Sequence, residues 1–149
     1  MTTMLRCKAD KVAMPAALFL GTPGADLSKT GDSLYVNAEV DHALGRYEGR
    51  MEACIKLYAA GRDLKDPLLS PIYGDLSGWP PTVLVTGTRD LLLSATVRTH
   101  RKLREAGGTA ELHVFEGMSH AEYLASFPAP ESREALAEIG SFFDRHLKQ

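Results

Sequence analysis

This sequence predicts an α/β fold, a mostly parallel sheet of about three strands flanked by helices, on three observations. Three short apolar runs, residues 16–20, 82–87 and 111–115, are bounded by Pro or Gly and do not simply alternate, which is the pattern of strands covered on both faces. Amphipathic stretches lie between and after them. Residues 82–115 run strand, helix, strand in the roughly 30 residues of a minimal βαβ unit. Such crossovers are right-handed and return the second strand parallel to the first.

Each helix follows from its spacing. Tyr47, Met51, Ile55 and Tyr58 form one stripe, and Gly61 supplies the stop. Residues 92–106 follow the second strand directly, with Leu93, Val97 and the row Thr96, His100, Leu103 along one side, and end at Gly107-Gly108. The last helix begins near Glu131 and places Leu136, Ile139, Phe143 and Leu147 on one stripe. Tyr47, Tyr58, Phe142 and Phe143 are thereby assigned to the core, and Trp79, in a Gly-Trp-Pro-Pro turn, to the end of the sheet. Residues 22–45 and 62–81 are rich in Gly, Pro, Asp and Ser and read as connections. No repeat or linker interrupts residues 1–149, so one domain is expected, long enough to bury roughly 70% of its unfolded surface.

Composition narrows the function classes. At 44% hydrophobic and 24% charged, the chain falls in the ordinary globular range, away from disordered and disulfide-rich classes. The formal net charge is −2, and the densest basic group, Arg98, Arg101, Lys102 and Arg104, has helical spacing without interleaved aromatics. It reads as a solvated helix face, and no nucleic-acid partner is expected. Cys7 and Cys54 lack CxxC spacing or nearby histidines, so buried free thiols are expected, with no zinc, disulfide or other metal site. No apolar run approaches the ~20 residues of a membrane span, and residues 1–20 lack the apolar region of a signal peptide; a cytoplasmic location is the expectation. No GxGxxG or P-loop pattern occurs, and no cofactor is expected.

Two short motifs follow directly on strands: Gly87-Thr88-Arg89-Asp90 after the second, and Gly117-Met118-Ser119-His120 after the third. Functional groups of open α/β sheets collect beyond the carboxyl ends of strands. Paired strands lie about 4.8 Å apart, so a carboxylate and an imidazole at neighbouring strand ends can meet. Such a carboxylate holds the imidazole in one tautomer and stabilises the imidazolium. Two plainer readings stay open on position alone: Asp90 as the N-cap of the helix that follows it, and His120 as a loop histidine satisfied by backbone.

The ordered motifs Asp66-Pro67-Leu68-Leu69-Ser70-Pro71, Gly78-Trp79-Pro80-Pro81-Thr82, Gly87-Thr88-Arg89-Asp90-Leu91-Leu92-Leu93 and Glu116-Gly117-Met118-Ser119-His120 resemble the C-terminal half of the hormone-sensitive-lipase-like esterases, a family of the α/β-hydrolase fold. Pro15-Ala16-Ala17-Leu18-Phe19-Leu20 resembles the strand that follows the family's nucleophile helix, and Ala25-Asp26-Leu27-Ser28 the loop after it. The resemblance implies a partial α/β-hydrolase fold, with Asp90 as the triad acid and His120 as the general base.

The family's Gly-x-Ser-x-Gly nucleophile elbow and His-Gly-Gly oxyanion loop both lie upstream of the matched region. Residues 1–14 resemble the end of the helix after the nucleophile, with Met4, Leu5 and Val12 as its apolar positions. Two serines invite comparison. Gly31-Asp32-Ser33-Leu34-Tyr35 lacks the second glycine, and Ser119 adjoins the histidine it would have to face. The expectation is therefore a carboxylic ester hydrolase, esterase- or lipase-like, that carries Asp90 and His120 without nucleophile or oxyanion loop and is inactive alone. A non-catalytic binding or interaction module on the same scaffold is the alternative. Substrates implied are short-to-medium acyl esters or lactones, with residues 121–124 departing from the bulkier apolar residues seen there in the family. An unpaired edge at residues 16–20 would favour homo-oligomers. His42, His100, His113 and His146 match no motif and are expected to carry no function.

Overall fold

A computed structural model of the chain describes residues 1–125 and 128–147. The elements are α1 (Thr2–Ala9), β1 (Leu18–Gly21), α2 (Ser33–Val36), α3 (Glu52–Ala59), β2 (Thr82–Gly87), α4 (Leu93–Glu105), β3 (Ala110–Phe115), α5 (Glu122–Ala125) and α6 (Pro130–Leu147). The strands form one parallel sheet in the order β1-β2-β3, as expected of a partial α/β-hydrolase fold. Leu18 pairs with Thr82 and Gly87 with Phe115.

The central strand is buried along its whole length, and its side chains alternate between two cores, as the period of a strand requires. On one face Leu84 meets Leu20, Trp79 and Leu103 of α4, with Met1 and, from α1, Met4 and Leu5 at the margin. On the other, Val85 meets Ala135 and Ile139 of α6, and Val83 meets Phe142. Val83, Leu84 and Val85 are wholly excluded from solvent, each contributing about 1.5–3 kcal/mol of hydrophobic stabilisation. Trp79 packs at the sheet's end, as its turn predicted.

Several sequence expectations are corrected. The stripe of α6 is turned: Ser132, Ala135, Ile139 and Phe142 face inward, while Leu136 and Leu147 are exposed. The small Ser132 and Ala135 let the helix close on β2, and hydropathy gives such residues little weight. In α3, Ile55 and Ala59 are buried but Tyr58 is exposed. Glu48 is extended and Gly49 sits at φ 89°, so a kink separates Tyr47 from the helix and spoils the stripe. Tyr58 lines a cleft of about 400 Å³ with Phe19, Pro23, Leu27 and Pro71. The left-handed stop of α3 is Ala60, one residue before Gly61. Val97 of α4 lies partly in solvent, and Thr96, Thr99 and Leu103 fill its buried face.

The loop stretches hold α2 and a short 3₁₀ turn at Pro71–Tyr73. Both cysteines are free, but Cys7 is half-buried and Cys54 exposed rather than buried. Among the described residues no helix is long and apolar enough to cross a membrane.

The loops after β2 and β3 touch through their backbones. A Cβ on Gly87 would lie 2.0 Å from the carbonyl oxygen of Met118, and Arg89 N–H donates to that oxygen at 3.0 Å. Gly117 N–H donates to Thr88 Oγ1 at 2.8 Å. Gly87→Ala must push the two loops apart and is expected to cost at least about 2 kcal/mol in urea unfolding. Gly140→Ala, in α6 with open space around it, should instead stabilise by up to about 1 kcal/mol; equal effects at the two sites would refute the close-approach account.

Candidate active site

Asp90 ends the loop after β2 and is fully buried. Its Oδ1 accepts the Leu92 amide at 2.7 Å and lies 3.3 Å from His120 Nδ1. Its Oδ2 accepts Thr86 Oγ1–H at 3.0 Å and the hydroxyl of Thr22. Thr22 Oγ1 is also 3.2 Å from His120 Nδ1. Asp90 faces the imidazole and is not the N-cap of α4, which is Leu92; its bond to the Leu92 amide closes the turn that leads into the helix. His120 follows β3, one residue before Ala121 at φ 55°, with a quarter of its side chain exposed. Its Nε2 has no hydrogen-bond partner among the described residues.

Burial pushes the Asp90 carboxyl up, but hydrogen bonds from His120, Thr22 and the Leu92 amide, with the charge of His120, outweigh it and hold the group below its ordinary value. The carboxylate is therefore ionised at neutral pH. With Nδ1–H directed at it, the imidazole presents the Nε2 lone pair outward, where it can accept a proton from a hydroxyl.

Three parts of this arrangement were not read from the sequence. Thr22, the residue after β1, has φ 36° and donates its amide to Val85 O at 2.8 Å, which aims its hydroxyl at Asp90. Its loop is anchored by Asp26, a buried carboxylate bonded to Arg98 Nη1 at 2.7 Å, Tyr73 Oη–H at 2.9 Å and Ser28 Oγ–H at 2.6 Å. Burial raises Asp26, and the bonds from Ser28, Arg98 and Tyr73 more than offset this and hold it low. Arg98 is accordingly an ion-pair partner and Lys102 donates to Ile72 O, so the basic face of α4 is not simply solvated. Lastly, Asn37 and Asp41 reach the loops of Asp90 and His120 from residues that read only as connection.

Neither Ser33 nor Ser119 meets His120. Ser33 is buried at the head of α2 and donates to Leu91 O at 2.8 Å. Ser119 is fully buried and lies 3.0 Å from Nδ1 of His42, a histidine expected to have no role. Among the described residues no three His, Cys, Asp or Glu side chains gather as a metal site would require.

Comparison with known proteins identifies the family of this fold. The sequence profile of the alpha/beta hydrolase fold matches residues 1–124, and the chain belongs to that family. It is 34% identical over 140 residues to an esterase of Acinetobacter venetianus, covering 93% of this chain and 45% of the relative. An acetyl-hydrolase of Streptomyces hygroscopicus is 30% identical over 129 residues, covering 87% and 42%. Among solved structures, an esterase designated E25 superposes with TM-score 0.95 at 56% identity, over 97% of this chain and 44% of that one. A hormone-sensitive lipase from a metagenome library superposes with TM-score 0.88 at 30% identity, over 97% and 49%. The likeness to hormone-sensitive-lipase-like esterases read from the motifs is therefore upheld. The chain spans less than half the length of these relatives.

A carboxylate held below its ordinary value contributes stability that is complete above about pH 4 and is lost as pH falls through the lowered native value. Urea-unfolding stability of the chain should therefore decline on acidification, and Asp90→Asn should make that acid limb shallower. An acid limb unchanged by the substitution would show that Asp90 is not the group so held.

Proposed function

We propose that this chain is the acid-and-base portion, a single domain unit at the C-terminal side, of a cytoplasmic carboxylic ester hydrolase. Asp90 is the triad acid and His120 the general base; the serine nucleophile and the oxyanion donors come from outside residues 1–149. The observation that carries this reading is the buried Asp90 carboxylate set against His120 Nδ1 at 3.3 Å in a chain of the α/β-hydrolase family. In the reaction, a serine hydroxyl attacks the ester carbonyl carbon and passes its proton to His120 Nε2. The imidazolium, held by Asp90, returns that proton to the departing alcohol. Water then cleaves the acyl-enzyme by the same exchange. Short-to-medium acyl esters or lactones are the proposed substrates, a choice supported by relatives described as an esterase and an acetyl-hydrolase.

On this reading the chain alone lacks the bond-forming atom. Purified residues 1–149 should release no p-nitrophenol from p-nitrophenyl butyrate above the buffer rate. Joined to a half that bears the nucleophile elbow, they should support turnover that falls ~10⁴-fold in His120→Ala and in Asp90→Asn. Turnover by the isolated chain that is lost in His120→Ala would overturn the assignment of the nucleophile elsewhere. A joined protein that folds but turns over no ester would instead favour a binding module.

Among the described residues β1 pairs with β2 on one side only, and an open apolar edge supports pairing with another chain. Residues 1–149 should accordingly self-associate in sedimentation velocity; a monodisperse monomer across the concentration range would refute it.

A further inference from the structure

The segment between α2 and the kink before α3 lies across the ends of β2 and β3, and three of its side chains reach the loops that carry Asp90 and His120. Asn37 Nδ2–H donates to the carbonyls of Thr88 at 3.0 Å and Asp90 at 2.8 Å. His42 pairs with Ser119, the neighbour of His120. Between them Asp41 is fully buried. Its Oδ2 accepts the amide of Leu91, the residue after Asp90, at 2.8 Å. Its Oδ1 accepts the amides of Ala43 at 2.9 Å and Leu44 at 3.1 Å, and that of His120 at 3.4 Å.

A plain turn cap would need only the Ala43 and Leu44 amides, which a solvent-facing carboxylate satisfies without burial. That account leaves two observations unexplained. The carboxylate is withdrawn from water, which is costly unless every lone pair finds a donor, and no ion pair with Lys, Arg or His compensates it among the described residues. Its second oxygen also reaches across fifty positions of chain to the residue next to the acid. Hydrogen bonds to an ionised acceptor are the stronger kind, so one carboxylate that holds an amide from each loop ties those loops together.

We propose that Asp41 is a positioning residue for the acid–base pair: it joins the backbone that follows Asp90 to the backbone of His120 and so sets the reach between imidazole and carboxylate. This inference rests on the reading of Asp90 and His120 as acid and base. Asp41 acts through the two main chains and not on the reacting atoms.

Nuclear magnetic resonance on the isotope-labelled 149-residue chain tests it. In the unsubstituted chain the His120 Nδ1–H bonded to Asp90 should give a downfield imidazole proton, identified by its loss in Asp90→Asn. A coupling across the hydrogen bond should link the Leu91 amide nitrogen to the Asp41 carboxylate carbon. Asp41→Asn turns one acceptor into a donor. It should abolish the downfield signal and speed amide exchange at Leu91 and His120 by about tenfold or more, while the amides of Val83, Leu84 and Val85 exchange as before. Asp41→Glu, which keeps the charge but displaces both oxygens, should do the same and serves as the second variant. A downfield signal that persists in either folded variant overturns the proposal, as does absence of the Leu91–Asp41 coupling in the unsubstituted chain. Absence of the His120 signal in the unsubstituted chain defeats the acid–base reading itself, a separate result.

Discussion

Gly87 pairs with Phe115, so β2 and β3 end level with one another, and the chain leaves both strands at the same edge of the sheet. Parallel pairing fixes the spacing of those exits at about 4.8 Å, and the missing side chain of Gly87 lets the Met118 carbonyl press against the β2 exit. With the backbones in contact, Asp90 needs only three residues and His120 five to bring carboxylate and imidazole together. Each further feature of the site, the Thr22 hydroxyl, the Leu92 amide and the Asp41 carboxylate, is fitted around that junction. Were the strands one residue out of register, the alternation of faces would turn Val83 and Val85 away from α6. The core and the site therefore depend on a single pairing.

Burial ties the parts of this junction to one another. Thr86, Asp90, Ser119 and Asp41 are all withheld from solvent, and a polar group so placed is costly to leave unpaired. Each has its partner: Thr86 and Thr22 on Asp90, backbone amides on Asp41, His42 on Ser119. A displacement of any one would strand another. This interdependence holds side chains from distant parts of the chain more firmly than separate surface contacts would.

The strands, and with them Asp90 and His120, were legible because apolar runs bounded by Gly and Pro mark strands, and strand ends mark sites. The α4 helix was legible from its direct succession to β2. Other residues carried no such mark. Thr22 precedes Pro23, a context that biases a residue toward extended backbone, yet it adopts a positive φ that only the packed sheet explains. Asp41 and Asn37 lie in a stretch whose composition says loop and nothing more, and their partners are remote in sequence. Hydropathy does not mark the inward stripe of α6, because Ser132 and Ala135 face the sheet by virtue of size. The spacing that points Tyr58 to the core is not preserved across the kink at Gly49.

Thr22 places one hydroxyl against both the Asp90 carboxylate and the His120 imidazole, and the count of protons in that triangle is informative. The Asp90 carboxylate, Thr22 Oγ1 and His120 Nδ1 share two protons: the hydroxyl proton, given to Asp90 Oδ2, and the Nδ1 proton, divided between Asp90 Oδ1 and the hydroxyl oxygen. A proton arriving at Nε2 adds charge to the imidazole but leaves both of these where they are. The inner face of the pair is thus already arranged for the imidazolium, and no bond within it has to be broken and remade as the charge comes and goes. Preset dipoles of this kind spare a reaction the work of reorganising its surroundings.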